Sequence, residues 1–418
     1  MINIKAFKAL RPRKDLYSSI SSLPYDVLTD DECRKIILVN PLSFLNIIRS
    51  EVNFDKGIDP YSDDVYQKAK RNFDDFIKKE YLIKDEEPYL YVYRLKKNNK
   101  IQIGFVSAVS VDDYDKGFIK KHEETRVEKV NDRIKHIDTV NAHTGFVFLT
   151  YRSRDTLDKI LEDIQKTEPE VDFTTEDDVA HTLWVIKDDR LINYIIEEFK
   201  KIPCIYIADG HHRSVAASSV AKMRQSNNTG NNNIRGSDYF LSIIFPHNCL
   251  NILSYNRAIR DLNGMKIEEF LKKIENNFTI QKTSPNSEID GYKPDAIKKI
   301  GMYLGRQWYI LIPKKSIIEN DPVSSLDVSI LQKYIIDPIL DIRDLRTDKR
   351  IDFIGGIRGT SFLKKIVDSG EYKISFSMYP TSIEQLMDVA DAGKLMPPKS
   401  TWFEPKPRSG LIIHSLDE

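Results

Sequence analysis

The run Ile202-Pro203-Cys204-Ile205-Tyr206-Ile207-Ala208-Asp209-Gly210-His211-His212-Arg213-Ser214 decides how this chain is read. Its apolar or small residues from Cys204 to Ala208 pass without a spacer into an acid, a glycine, two histidines and an arginine. The pattern predicts a buried strand delivering Asp209 at its C-terminal end, a tight turn at Gly210, and a helix over the alanine-rich Ser214 to Met223 that starts right after the polar cluster. The first N–H groups of such a helix have no partner within it and carry partial positive charge, so strand, glycine turn and helix start together make an anion site. Phosphate is the natural guest. The same residues also admit a reading without ligand, in which Asp209 is a helix cap and His211 and His212 are partly buried turn residues.

Two further clusters weigh toward the functional reading. Lys121-His122-Glu123-Glu124-Thr125 sets a carboxylate pair beside a histidine, ahead of a helical pattern over Arg126 to Val140 that holds Asp132 and Arg133. It reads either as a solvated helix start or as a site in which Glu123 takes a proton from a bound substrate hydroxyl. Near the end, Met396-Pro397-Pro398-Lys399-Ser400-Thr401-Trp402-Phe403-Glu404-Pro405-Lys406 places two lysines and two hydroxyls in a proline-stiffened loop. Point charge and hydrogen bonds, held at reduced entropic cost, suit a phosphate.

The rest of the chain alternates helix and strand signals. Strands are expected at Ile4 to Leu10, Gly145 to Tyr151, Leu183 to Ile186, Tyr239 to Phe245 and Trp308 to Ile312, and a hairpin pairs Tyr89 to Leu95 with Ile101 to Val111. Helices are expected at Cys33 to Val39, Ser62 to Lys79, Ser153 to Gln165, Asp189 to Phe199, Ile267 to Asn277, Leu326 to Ile335 and Ser382 to Ala392, the last stopped by Gly393. Thr29-Asp30-Asp31-Glu32 is a helix start with acids at its positive end. The asparagine-rich Gln225 to Gly236 reads as a flexible loop. Leu23-Pro24-Tyr25-Asp26-Val27 offers an aromatic face and an acid in a stiff turn. Asn256 and Arg257 are candidate pocket residues, although an arginine near a strand end is more often one half of a surface pair. The glycines of Phe353-Ile354-Gly355-Gly356-Ile357-Arg358-Gly359 permit close backbone approach to a ligand, or simply make a turn.

A length of 418 residues and 41% hydrophobic content allow two or three domains with real cores. Lysine plus arginine and aspartate plus glutamate balance at 63 each, so there is no net basic field for a nucleic-acid backbone. Cys33, Cys204 and Cys249 stand far apart with no CxxC pair, which speaks against a disulfide framework and a zinc knuckle and for a reducing compartment. With no long apolar run, the expectation is a cytoplasmic protein with neither membrane nor nucleic acid as partner. Neither GxGxxG nor GxxxxGK[ST] occurs, so both standard nucleotide cradles are missing. The fold class is α+β, a mixed α/β architecture rather than a regular Rossmann repeat.

Taken together, Ala208-Asp209-Gly210-His211-His212-Arg213, the His122-Glu123-Glu124-Thr125 and Lys399-Ser400-Thr401 clusters and Leu23-Pro24-Tyr25-Asp26-Val27 resemble, over nearly the whole chain, a family catalogued as a domain of unknown function and grouped with the ParB and sulfiredoxin superfamily. That resemblance implies a ParB/sulfiredoxin-like core with additional N- and C-terminal α/β segments: an N-terminal lobe over 1–115, a catalytic core with the phosphate loop over 116–260, and a C-terminal lobe over 261–418 contributing the Lys399-Ser400-Thr401 loop. Within the superfamily the chain is similar to free serine kinases, and to the branch that converts L-serine and inorganic pyrophosphate to O-phospho-L-serine and phosphate, feeding serine and cysteine metabolism. Glu123 then matches the general base, and Asp209 and His211 complete the implied catalytic set. Gly210, His212, Arg213 and Ser214 form the phosphate loop, and His122, Thr125, Tyr25, Asp26, Arg133, Asn256, Arg257, Lys399, Ser400 and Thr401 are the further substrate- or phosphate-binding candidates. Asn131 and Asp132 also look family-like, and Arg213, Lys399 and Lys406 are available to neutralise a polyphosphate. Mg²⁺ is the expected cofactor, with Asp209 its best protein ligand. An ATP- or ADP-dependent serine kinase, a phosphoserine phosphatase and a non-catalytic binding module are the alternatives. Sulfinic acid reduction would need a cysteine where His211 and His212 stand.

Overall fold

Two long adjacent strands, Leu90–Lys97 and Lys100–Ser110, pair antiparallel about the turn at Asn98, as the alternating apolar pattern predicts, and form the middle of the larger sheet. The structure is a computed structural model, and it describes residues 1–226, 235–283 and 291–417. The expected asparagine-rich loop lies mostly outside the described residues. The chain divides into two compact units, the first made of Met1–Lys121, Thr125–Asn251 and Pro405–Glu418, the second of His122–Glu124 and Ile252–Glu404.

The first unit is built on a nine-stranded mixed sheet whose main path runs Ile119–Lys120, Ile205–Asp209, Val147–Tyr151, Tyr239–Pro246, Lys100–Ser110, Leu90–Lys97, Ala180–Ile186, Val171–Thr174, with Ile4–Lys5 pairing alongside Lys100–Ser110. Ile205–Asp209 is parallel to Ile119–Lys120 and antiparallel to Val147–Tyr151, and the register with the latter shifts between Ile207 and Asp209. Such an irregularity turns a strand end out of the flat ladder, and it occurs here where the polar cluster begins. The helices Asp155–Ile164 and Asp189–Lys200 set Leu157, Leu161, Ile195 and Phe199 against Phe105, Leu149, Ile205 and Ile207 of the sheet. Burying side chains of this kind stabilises by about 1.5–3 kcal/mol each.

The alanine-rich helix His211–Ser226 is weakly amphipathic for a physical reason: it is buried on two sides. Ala217 and Ala221 join the sheet core, while Ala216 and Val220 meet Ile137 of the helix Val127–Val140. Small side chains let both neighbours approach closely. A smaller core lies between Asp63–Lys78 and the N-terminal segments, around Phe44, Phe73, Phe76 and Leu82. The helix start read at Thr29 is present as a capping box with Glu32.

The second unit carries a six-stranded, fully antiparallel sheet in the order Phe278–Lys282, Gln307–Pro313, Ile300–Leu304, Ile374–Ser377, Tyr255–Ile259, Ile351–Gly355. Leu363 and Ile366 of the helix Gly359–Asp368 pack on Ala258, Tyr303 and Trp308. The helix Ile383–Asp391 is capped by Ser382 and Gln385 and followed by Gly393 at φ 65°.

The mixed α/β class therefore holds, while several boundaries differ from expectation. Strands from both 1–115 and 116–260 share one sheet, and the last residues of 261–418 return to the first unit. The first expected strand is two short pieces, Ile4–Lys5 and Leu10–Pro12. The helix expected over Leu326 to Ile335 is α-helical only over Asp327–Leu331 and continues as a π turn over Gln332–Ile336. No helix among the described residues is long and apolar enough to cross a membrane.

Candidate active site

Asp209 ends its strand as the sequence predicts, and Gly210 follows at φ 97°, a backbone conformation that an L side chain rarely adopts. The helix then begins at His211, three residues earlier than the alanine pattern indicates. His211, His212 and Arg213 thus make up its first turn instead of a preceding loop. Weak intrinsic propensity is overridden because Gly210 completes the turn at once and the packed helix needs its full length against the sheet.

The Asp209 carboxylate accepts a hydrogen bond at Oδ1 from the Gly210 N–H at 2.7 Å, and at Oδ2 from the Lys406 ammonium. Lys406 is largely buried, whereas the acid is partly open to solvent. Burial disfavours the Asp209 charge, but Lys406, Arg213 and His211 outweigh it and hold the carboxyl well below the usual carboxylate range. Arg213 donates from Nη1 to the Phe146 carbonyl at 2.8 Å, and its guanidinium lies 5.2 Å from the centre of the Tyr25 ring. Arg133 faces the same ring at 4.1 Å and pairs with Asp132 at 2.7 Å; the other oxygen of Asp132 accepts from Tyr66 at 2.9 Å. Tyr25 is in this way a shared aromatic surface for two guanidinium groups. His136, buried beside them, is held neutral by its burial and by the two arginines. His212 accepts at Nε2 from the Arg126 N–H at 3.1 Å.

The first unit therefore brings Tyr25, Arg133, Asp209, Gly210, His211, His212 and Arg213 into one neighbourhood around a helix start, and adds Lys406 from far along the chain. Ser214 is fully buried, and its hydroxyl donates back to the Gly210 carbonyl at 3.3 Å. Asp26 stands exposed beside Tyr25, and Thr125 is half-buried.

The second unit holds the remaining candidates. The His122 carbonyl accepts from the Met396 N–H at 2.8 Å, Glu123 is half-buried, and Glu124 pairs with Arg346. The Asn256 side chain is buried and accepts from the Met378 N–H at 3.0 Å. Arg257, expected more often as half of a surface pair, is 1% exposed. It donates from Nη1 to the Tyr255 carbonyl and from Nη2 to the Lys399 carbonyl at 3.2 Å. Lys399 is exposed, with left-handed backbone at φ 59°, and its ammonium lies 5.6 Å from the Tyr255 ring centre. Ser400 is buried, with its hydroxyl committed to the Pro397 carbonyl at 2.6 Å, and Thr401 is half-buried. The glycine pair serves internal packing: a Cβ on Gly355 would meet the Trp402 ring at 2.9 Å, and one on Gly356 would meet the Ser254 carbonyl at 2.7 Å. Sequence reading missed Phe353, which sits directly across from Arg257 in the strand register with its ring 5.3 Å from the guanidinium. No local signal marks it, because the register between strands so far apart in the chain is a tertiary property.

No curated protein matches the sequence. Similar solved structures include a conserved hypothetical protein from Pyrococcus furiosus, 12% identical with a TM-score of 0.33 over 71% of this chain and 90% of that chain. A free serine kinase in complex with AMP is 11% identical, with a TM-score of 0.35 over 71% and 86%. SbnI with a C-terminal truncation, from Staphylococcus aureus, is 11% identical, with a TM-score of 0.39 over 72% and 84%. The model of the family described as "Protein of unknown function (DUF1015)" matches residues 4–329, and the chain belongs to that family.

Proposed function

We propose that the protein is a phosphotransferase that converts L-serine and inorganic pyrophosphate to O-phospho-L-serine and phosphate. The observation that carries this reading is the strand end, left-handed glycine and helix start at Asp209-Gly210-His211, flanked by Lys406 and Arg213. Phosphoryl transfer demands little covalent chemistry from a protein; it demands neutralised charge, in-line positioning and a base near the attacking oxygen. Helix N–H groups at His211 and His212 suit a phosphoryl group, and Arg213 and Lys406 supply the countercharge, with Asp209 orienting the Lys406 ammonium. In the reaction the serine hydroxyl oxygen bonds to phosphorus, the bond to the departing phosphate breaks, and the hydroxyl proton passes to Glu123, the role that the family resemblance implies for it. Asp209 is an ionised, partly open oxygen donor, which is what Mg²⁺ takes from a protein when most of its other ligands are phosphate oxygens and water. When bound, the ion would add charge neutralisation to the donor.

The test is phosphoserine formation from L-serine and Mg²⁺ with pyrophosphate, ATP and ADP as parallel donors. Product with pyrophosphate is the expected result. Product only with a nucleotide keeps the transfer and discards the donor. No phosphoserine with any donor, together with phosphate release from O-phospho-L-serine, would replace the kinase reading by a phosphatase.

A further inference from the structure

Three buried arginines among the described residues meet different surroundings. Arg133 is matched by Asp132 at 2.7 Å, and Arg408 by Asp177 at 2.5 Å. Arg257, the most deeply buried of them, forms no ion pair with a carboxylate among the described residues. Its acceptors are two backbone carbonyls, Tyr255 and Lys399, with the Phe353 ring 5.3 Å away. A guanidinium has five N–H donors, and carbonyl dipoles solvate the charge without cancelling it. Burial pushes the Arg257 pKa down to about 10, with only Tyr255 acting against it. An unpaired buried charge is costly. One residue whose carbonyl Arg257 meets, Lys399, is exposed, carries its ammonium 5.6 Å from the Tyr255 ring centre and also forms no ion pair with a carboxylate among the described residues. No carboxylate among the described residues supplies the counter-charge of the buried Arg257 guanidinium.

We propose that Arg257 and Lys399 form an oxyanion subsite in the second unit, taking a carboxylate or phosphoryl group of a small-molecule ligand. It rests on the phosphotransferase reading only for the identity of that ligand, the carboxylate of L-serine or a phosphoryl group of the donor or product. The arginine provides a fixed planar donor set, and the lysine an adjustable point charge.

The experiment is calorimetric titration of the full chain with L-serine, serinol, inorganic phosphate and pyrophosphate, in the wild type, Arg257→Met, Arg257→Lys and Lys399→Met. Tenfold or greater weakening of one oxyanion probe in both methionine variants is expected, with partial recovery in Arg257→Lys. If the carboxylate is the guest, L-serine weakens while serinol, which has none, does not change. If a phosphoryl group is the guest, phosphate or pyrophosphate weakens and L-serine does not. Unchanged affinity for every probe in a folded Lys399→Met variant overturns the proposal, as does the absence of saturable binding by the wild type. A lowered melting temperature in Arg257→Met with all affinities kept would reduce the arginine to a loop anchor and likewise overturn it. Binding is read without turnover, so a failure to form phosphoserine leaves this outcome intact and distinguishable.

Discussion

Asp209 and Arg257 are charged groups that the fold treats in opposite ways. Asp209 is partly open to water, yet it is matched by a lysine and a backbone N–H. Arg257 is 1% exposed, and its partners among the described residues are two carbonyls and an aromatic ring. A matched charge explains itself through its partner, in this case by fixing Lys406 beside a helix start. An unmatched one directs attention to a ligand, because an uncompensated buried ion is expensive to keep.

The contrast is sharpened most by a residue outside both groups. Glu123→Gln should lower turnover roughly 10²–10⁴-fold, the range for a lost general base, while calorimetry shows pyrophosphate affinity close to wild type. Intact turnover with weakened donor binding would move Glu123 from chemistry to binding. Breaking the matched charge comes next. Asp209→Asn removes the partner of Lys406, and since hydrogen bonds to charged groups contribute about 1.5–3 kcal/mol, donor affinity should fall roughly tenfold to a hundredfold. Unchanged donor affinity there would place the anion site elsewhere. Gly210→Ala forces a side chain onto a φ of 97°, and denaturant unfolding should report a loss of about 1–3 kcal/mol. A loss near zero would mean that the turn relaxes and the helix start is not rigidly set.

The smallest effect concerns a neutral group buried within the first unit. His181 sits between the Tyr93 hydroxyl at 2.7 Å and the Thr175 hydroxyl at 3.2 Å, and burial, reinforced by Arg408, lowers its pKa to about 3. The unfolded chain binds this proton first as pH falls, so stability is lost between the ordinary histidine value near 6.5 and about 3, and is present above that window. Unfolding free energies of His181→Asn should vary less with pH across that window than those of the wild type. Equal slopes would assign the acid sensitivity to other groups.

Much of the fold was legible because its signals are local. The Leu90–Lys97 and Lys100–Ser110 hairpin, the Thr29 capping box and the strand, turn and helix order around Gly210 follow from alternation, capping residues and one glycine. The helix start was misplaced by three residues because His211-His212-Arg213 looks like loop chemistry, whereas packing on two faces extends the helix through it. The glycine pair at Gly355 and Gly356 was open to a ligand reading, yet it makes room for Trp402 and Ser254, a purpose visible only once those groups are adjacent.

By itself, the amino-acid sequence determined the α+β class, the strand that delivers Asp209, the glycine turn after it and the set of residue types able to hold phosphate. Tertiary structure alone decided that Lys406 meets Asp209 across 197 residues, that Arg133 and Arg213 share the Tyr25 ring, and that Arg257 is buried against Phe353 with no acid partner among the described residues. The reason is range. Periodicity and turn chemistry act over a few residues, whereas a charge acquires its partner, or is left without one, only when distant strands and helices pack.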